Sequence, residues 1–76
     1  MKKIFALYDS RTCEIIRAYS DMESAIVAAM NRVVFFCHTC VGFSADEHET
    51  IIEYRDHDTG VLYALDIQET ELHEGQ

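Results

Sequence analysis

Short β-rich runs alternate with polar turns near both ends of this chain, and one helical repeat lies between them. Ile4-Phe5-Ala6-Leu7-Tyr8 and Cys13-Glu14-Ile15-Ile16-Arg17-Ala18-Tyr19 flank the polar turn Asp9-Ser10-Arg11-Thr12, which is the pattern of a hairpin. Ser20-Asp21-Met22-Glu23 then fits a capping box, in which the Ser20 hydroxyl accepts from the Glu23 amide and the Glu23 carboxylate reaches back. Met22, Ile26, Ala29 or Met30, and Val33 follow at helical spacing. Ala25, Ala28 and Ala29 allow that helix to approach a sheet closely.

Residues 33–41 read two ways. Their β-branched and aromatic content suits a separate strand, yet no turn signal divides them from the helix, so the helix is expected to continue to about His38. Gly42 is its first plausible stop, with residues 42–49 as an acidic loop. A second hairpin follows, with residues 51–55 and 61–67 flanking Asp56-His57-Asp58-Thr59-Gly60. If Asp56 pairs with Val61, then Ile52, Tyr54, Val61, Tyr63, Leu65 and Ile67 share one face, while Glu53, Arg55, Leu62, Ala64 and Asp66 share the other. A slip of one residue would put Asp66 in the core, so the hydrophobic pattern selects this register. Residues 70–76 read as a polar acidic tail that frays.

These elements predict a single α+β domain, an antiparallel sheet of two β-hairpins flanking one helix (β-β-α-β-β) with an optional extra strand at 33–41. One helix covers one sheet face, but the first hairpin is apolar on both. Phe5, Leu7, Ile16 and Ala18 fall on one side, and Ile4, Ala6, Tyr8, Cys13, Ile15 and Tyr19 on the other. The second set predicts a subunit interface, a homodimer contacting through Ile4, Tyr8, Ile15 and Tyr19, with residues 33–43 folding back over that face as the alternative.

Composition sharpens this picture. The 76 residues are 49% hydrophobic and contain no proline, which excludes a disordered or linker-like chain. Asp9 ends the apolar run after Lys2 and Lys3 well short of a signal-peptide core, and no stretch approaches the roughly 18 apolar residues of a spanning helix. Three cysteines cannot all pair within the chain. A cytoplasmic protein with free thiols is therefore expected. The net charge of −8 is one-sided: residues 1–40 carry five basic and four acidic side chains, whereas residues 41–76 carry ten acidic ones against Arg55 alone. Such a chain repels nucleic acid and anionic membrane, and it attracts basic protein surfaces. The expected partner-binding residues are Asp46, Glu47, Glu49, Glu53, Asp56, Asp58 and Asp66, and ten carboxylates could imitate the charge of a nucleic acid toward a nucleic-acid-binding protein.

Other chemistry is thinly represented. Cys37-His38-Thr39-Cys40 offers a Cys-x-x-Cys pair that His48, His57 or His73 could complete as a tetrahedral zinc site, but the spacings match no zinc-finger rule. Cys37 and Cys40 are expected instead to be small buried residues beside Phe35, Phe36 and Val41. Cys37 or Cys40 with His48 and Asp46 supplies the residue types of a nucleophilic site, yet residue types alone carry little weight among four histidines and fourteen acids. The scattered glycines form no phosphate loop. No enzyme, no cofactor and no metal are expected, with a metal-binding module on Cys37, Cys40, His48 and His57 as the alternative.

In size and order of elements the chain resembles the short accessory proteins that bacteriophages and mobile elements encode. The likeness rests on the strand at residues 4–8, the hairpin to Tyr19, and the helix start Ser20-Asp21-Met22-Glu23-Ser24-Ala25. It implies a protein that binds and modulates, or inhibits, a host or defence component, and it carries over no catalytic residue. The expectation is thus a small acidic binding protein, with an accessory subunit acting through its apolar sheet face as a further alternative.

Overall fold

The structure, a computed structural model, describes residues 2–72. Its elements run β1 (Lys2–Asp9), β2 (Glu14–Tyr19), α1 (Met22–Phe35), β3 (Thr39–Ala45), β4 (Glu49–Arg55) and β5 (Leu62–Leu72). The five strands form one sheet in the order β2-β1-β5-β4-β3, every neighbouring pair antiparallel. The α+β class and the two hairpins around one helix agree with the sequence pattern. The fifth strand is real but lies at Thr39–Ala45 rather than 33–41.

One sheet face carries the core. Leu7, Ile52, Tyr54, Leu65 and Ile67 from the strands meet Ala25, Ala29 and Val33 from α1, all essentially excluded from solvent. The alanines sit one turn apart, so the helix axis can lie close over the sheet without a clash. The expected register of the second hairpin holds: Asp56 N donates to Val61 O at 2.9 Å, Tyr54 pairs with Tyr63, and Ile52 with Leu65. Glu53, Ala64 and Asp66 accordingly fall on the uncovered face.

Both ends of the helix differ from expectation. Asp21, not Ser20, is the N-cap, its extended backbone leading into the helix while its Oδ1 accepts from Ser24 N at 2.7 Å. The far end closes at Phe36, where Cys37 adopts φ +58°. Cys37 N donates to Val34 O (3.0 Å) and His38 N to Val33 O (2.9 Å), the paired bonds of a Schellman motif. A cysteine takes the left-handed position that glycine usually fills, so the helix stops without a glycine signal. Gly42 lies inside β3 instead, where a Cβ would come 3.1 Å from Glu53 Oε1. The expected acidic loop is mostly strand, and the expected fray from Thr70 is ordered pairing as far as Leu72 opposite Lys2. Residues 73–76 of that tail lie outside the described residues.

A bulge between β1 and β2 changes which residues share a face. Leu7 pairs with Arg17 and Tyr8 with Ile15, leaving Ile16 as the extra residue. Beyond the bulge the alternation is inverted. Tyr19, opposite Phe5, packs against the core with Ile16, whereas Ala18, opposite Ala6, is exposed on the uncovered face. Tyr19 therefore does not belong with Ile4, Tyr8 and Ile15, and its placement at a dimer interface on that face is corrected.

Candidate protein-binding surface

The acidic residues of the second half do not form one face. Two of them shape turns. Asp46 Oδ1 accepts from His48 N (2.7 Å) and Glu49 N (2.8 Å), and these bonds hold its carboxyl below the usual range. Asp56, 6% exposed, accepts from Asp58 N (2.8 Å) and Thr59 N (3.0 Å) and lies 3.8 Å from Arg11 Nε. The bond from Thr59 leads the downward shift of its carboxyl, opposed by burial. Glu47 and Asp58 are exposed on those same two turns, which stand at opposite ends of β4 and so about 20 Å apart at 3.3 Å per residue. The expected seven-residue acidic face is corrected to three residues, Glu49, Glu53 and Asp66, which share the uncovered sheet face.

Asp66 is the most constrained of the three. Gln68 Nε2 donates to Glu49 Oε2 at 2.9 Å and to Asp66 Oδ2 at 3.2 Å, binding the two acids into one cluster. Asp66 Oδ1 is buried with no hydrogen-bond partner among the described residues. Burial, then the neighbouring Glu49, pushes the Asp66 carboxyl upward. Beside it runs a groove of about 350 Å³ walled by Ala6, Tyr8, Ile15, Gln68 and Thr70. Ile15 is 68% exposed and Tyr8 borders it, while Ile4, opposite Thr70, extends the apolar rim. An apolar wall ending in an under-satisfied carboxylate pair suits the side chain of arginine or lysine, whose alkyl stem needs apolar cover and whose head needs oxygen acceptors.

A second polar centre was hidden in the sequence. Asp9, 1% exposed at the end of β1, accepts from Tyr54 Oη (2.7 Å) and Arg11 N (3.0 Å) through Oδ1, and from Arg32 Nε (3.1 Å) through Oδ2. Burial and the bond to Asp9 push the Tyr54 hydroxyl up to about 12. His38 stacks on Tyr54 with ring centroids 4.8 Å apart, and its Nδ1 accepts from His57 N at 3.0 Å. The space among these groups leaves no room for a water molecule, so the centre ties the turn, helix and sheet together and offers no substrate cavity. Asp9 read as an ordinary turn residue, because nothing local to it announces Arg32 and Tyr54.

The cysteine-based alternatives are not assembled. Cys13, Cys37 and Cys40 are all unpaired and exposed, so Cys37 and Cys40 are not the buried packing residues expected. Cys40 enters β3 opposite Tyr54. His48 lies past the other end of that strand, against Glu69, and His57 is on the far turn. Among the described residues no group of three or more His, Cys, Asp or Glu side chains is placed to hold a metal ion. The set Cys37, Cys40, His48 and His57 is thereby corrected, and the Cys–His48–Asp46 set is equally dispersed. No helix among the described residues is long and apolar enough to cross a membrane. No protein-family model, no curated protein and no solved structure matches the chain.

Proposed function

We propose that this chain is a non-enzymatic binding protein that engages a basic protein surface through the uncovered face of its sheet, with the Asp66 groove as the point of attachment. The observation that carries this reading is the buried, unpartnered Oδ1 of Asp66 beside Glu49 at the end of an apolar groove. A carboxylate in that setting is costly unless a cation arrives, and a partner's arginine or lysine supplies one. Modulation of a host component, as the phage-type resemblance implies, is one use of such a surface. Imitation of a nucleic-acid backbone is less well supported, since Asp46 and Asp56 are taken up by turns, Glu47 and Asp58 stand at opposite ends of β4, and of the seven expected acids three share a face. The test begins with capture of basic partners at low salt. Asp66→Asn and Glu49→Lys should then each weaken binding about tenfold or more, while Glu47→Lys and Asp58→Lys at the two ends change it little. Equal losses at all four positions would favour diffuse charge attraction over a groove.

A homodimer through Ile4, Tyr8 and Ile15 is the second reading, favoured by the exposure of Ile15 and Tyr8. A twofold on this face brings Glu49 and Asp66 toward their own copies, so self-association competes with partner binding and should strengthen with salt. Sedimentation at low and high salt separates the two readings.

A further inference from the structure

The opposite side of the sheet carries a surface of contrasting chemistry. Among the described residues β2 is an edge strand bonded to β1 alone, so its outer backbone groups have no partner there. Between this edge and α1 runs a groove of about 390 Å³ lined by Ile16, Tyr19, Ala28, Asn31, Arg32 and Phe35. Val27, Asn31 and Phe35 recur at i, i+4 along the helix, and Phe35 and its neighbour Val34 are 79% and 72% exposed. Phe35, presented to solvent beside a free strand edge, makes with Ile16 and Tyr19 a patch that one helix and one sheet do not cover.

Arginines stand about this groove although the chain is acidic and Asp21 and Glu23 line the adjoining cleft beyond Ala28 and Asn31. The Arg17 guanidinium lies 5.8 Å from the Tyr19 ring centroid. Arg32 and Arg11 lie 5.1 and 5.5 Å from that of Phe36, so aromatic faces hold all three cations in place. Arg32 has only its Nε engaged, by Asp9, and Arg17 makes no ion pair among the described residues. A second copy docking isologously would set Arg17 and Arg32 toward their own images. An acidic segment would instead meet complementary charge.

We infer that the groove between α1 and β2 binds an extended acidic-hydrophobic segment of a partner protein. The segment runs along the free edge of β2 and adds a strand to the sheet. One large apolar side chain seats against Ile16, Tyr19 and Phe35, and a flanking carboxylate meets Arg32 and Arg17 in charge-assisted hydrogen bonds. This surface is independent of the Asp66 groove, and it differs from that groove in its response to salt. The −8 net charge repels an acidic segment at long range, so screening that repulsion leaves association unchanged or faster up to physiological salt, whereas binding at the Asp66 groove slows.

The test uses a fluorescent decapeptide of alternating glutamate and leucine, beside a version with lysine for glutamate and one with serine for leucine. The glutamate–leucine peptide should bind the full chain, and the other two at least tenfold more weakly. Phe35→Ser and Arg17→Glu, both exposed and outside the core, should each reduce that binding about tenfold, with amide shifts on binding concentrated along β2. Glu49→Lys on the other face should not reduce it. Equal binding of the lysine peptide, indifference to Phe35→Ser, or shifts along the β3 edge instead of β2 would overturn the proposal. So would a dimer of the unmodified chain that Phe35→Ser dissolves, since a second copy would then fill the groove.

Discussion

Asp9 illustrates how much of this fold rests on a single side chain. Its two carboxylate oxygens receive a tyrosine hydroxyl, a backbone amide and an arginine, drawn from β4, the first turn and α1. Local sequence rules assign Asp9 to a turn, which is correct for its bond to Arg11 N but silent about Arg32 and Tyr54, 23 and 45 residues away. Such contacts depend on tertiary placement that no window of sequence contains. Asp9→Asn keeps the shape while leaving Arg32 without its anion, and it should cost about 3 kcal/mol, as for other broken buried pairs. Tyr54→Phe removes one neutral donor and should cost about 1–2 kcal/mol. Urea denaturation of both variants measures the ordering; equal losses would indicate that Arg32 finds another partner.

The elements were legible where periodicity was strong and obscure where a local device replaced the usual residue. Residues 51–67 gave the register of β4 and β5, because only one pairing keeps Asp66 out of the core. The bulge at Ile16 was not legible, since a single unpaired residue leaves the apolar pattern unbroken while moving Tyr19 to the other face. The end of α1 was missed for a related reason. Cys37 occupies the left-handed position of the Schellman motif, and Cys13 does the same in the first turn as Gly60 does in the second, at φ of +58°, +58° and +74°. A Cβ at such a position is strained, by about 1 kcal/mol for a residue other than glycine. Cys37→Gly should therefore stabilise the domain by about 0.5–1 kcal/mol with an unchanged spectrum of secondary structure. A loss of stability on that substitution, in thermal melts, would mean that the Cys37 side chain makes a compensating contact.

At the scale of the whole molecule, three titrating groups, His48, Glu69 and Asp66, link stability to pH and to the proposed surface. The His48 imidazole lies against Glu69, which also pairs with Lys3 at 3.2 Å, fastening the turn between β3 and β4 to β5 and β1. Glu69 raises the His48 pKa above its ordinary 6.5, and His48 and Lys3 lower that of Glu69 below 4.5. The histidine contribution is fully present below 6.5 and is lost as pH rises through the folded value; the glutamate contribution is present above 4.5 and is lost as pH falls through its folded value. The pair thus acts most strongly between those two pH values. Asp66 acts in the same direction as His48: burial and Glu49 raise its carboxyl above the ordinary 3.8, so its ionisation destabilises the fold as pH rises through the folded value. The histidine effect makes the domain more stable at about pH 5.5 than at pH 8, while the loss from Asp66 begins above 3.8 and is complete once pH has passed its folded value. His48→Gln should flatten the rise toward acid, and Asp66→Asn should be more stable than the unmodified chain at pH 8, an advantage that fades as pH falls toward 3.8. A residue that weakens the free protein at neutral pH while weakening partner binding when replaced is the behaviour of a binding-site group held at the expense of stability. Chemical denaturation of both variants across this pH range measures it. If Asp66→Asn destabilises at pH 8, Asp66 is a structural residue and the groove beside it loses its claim to a cation.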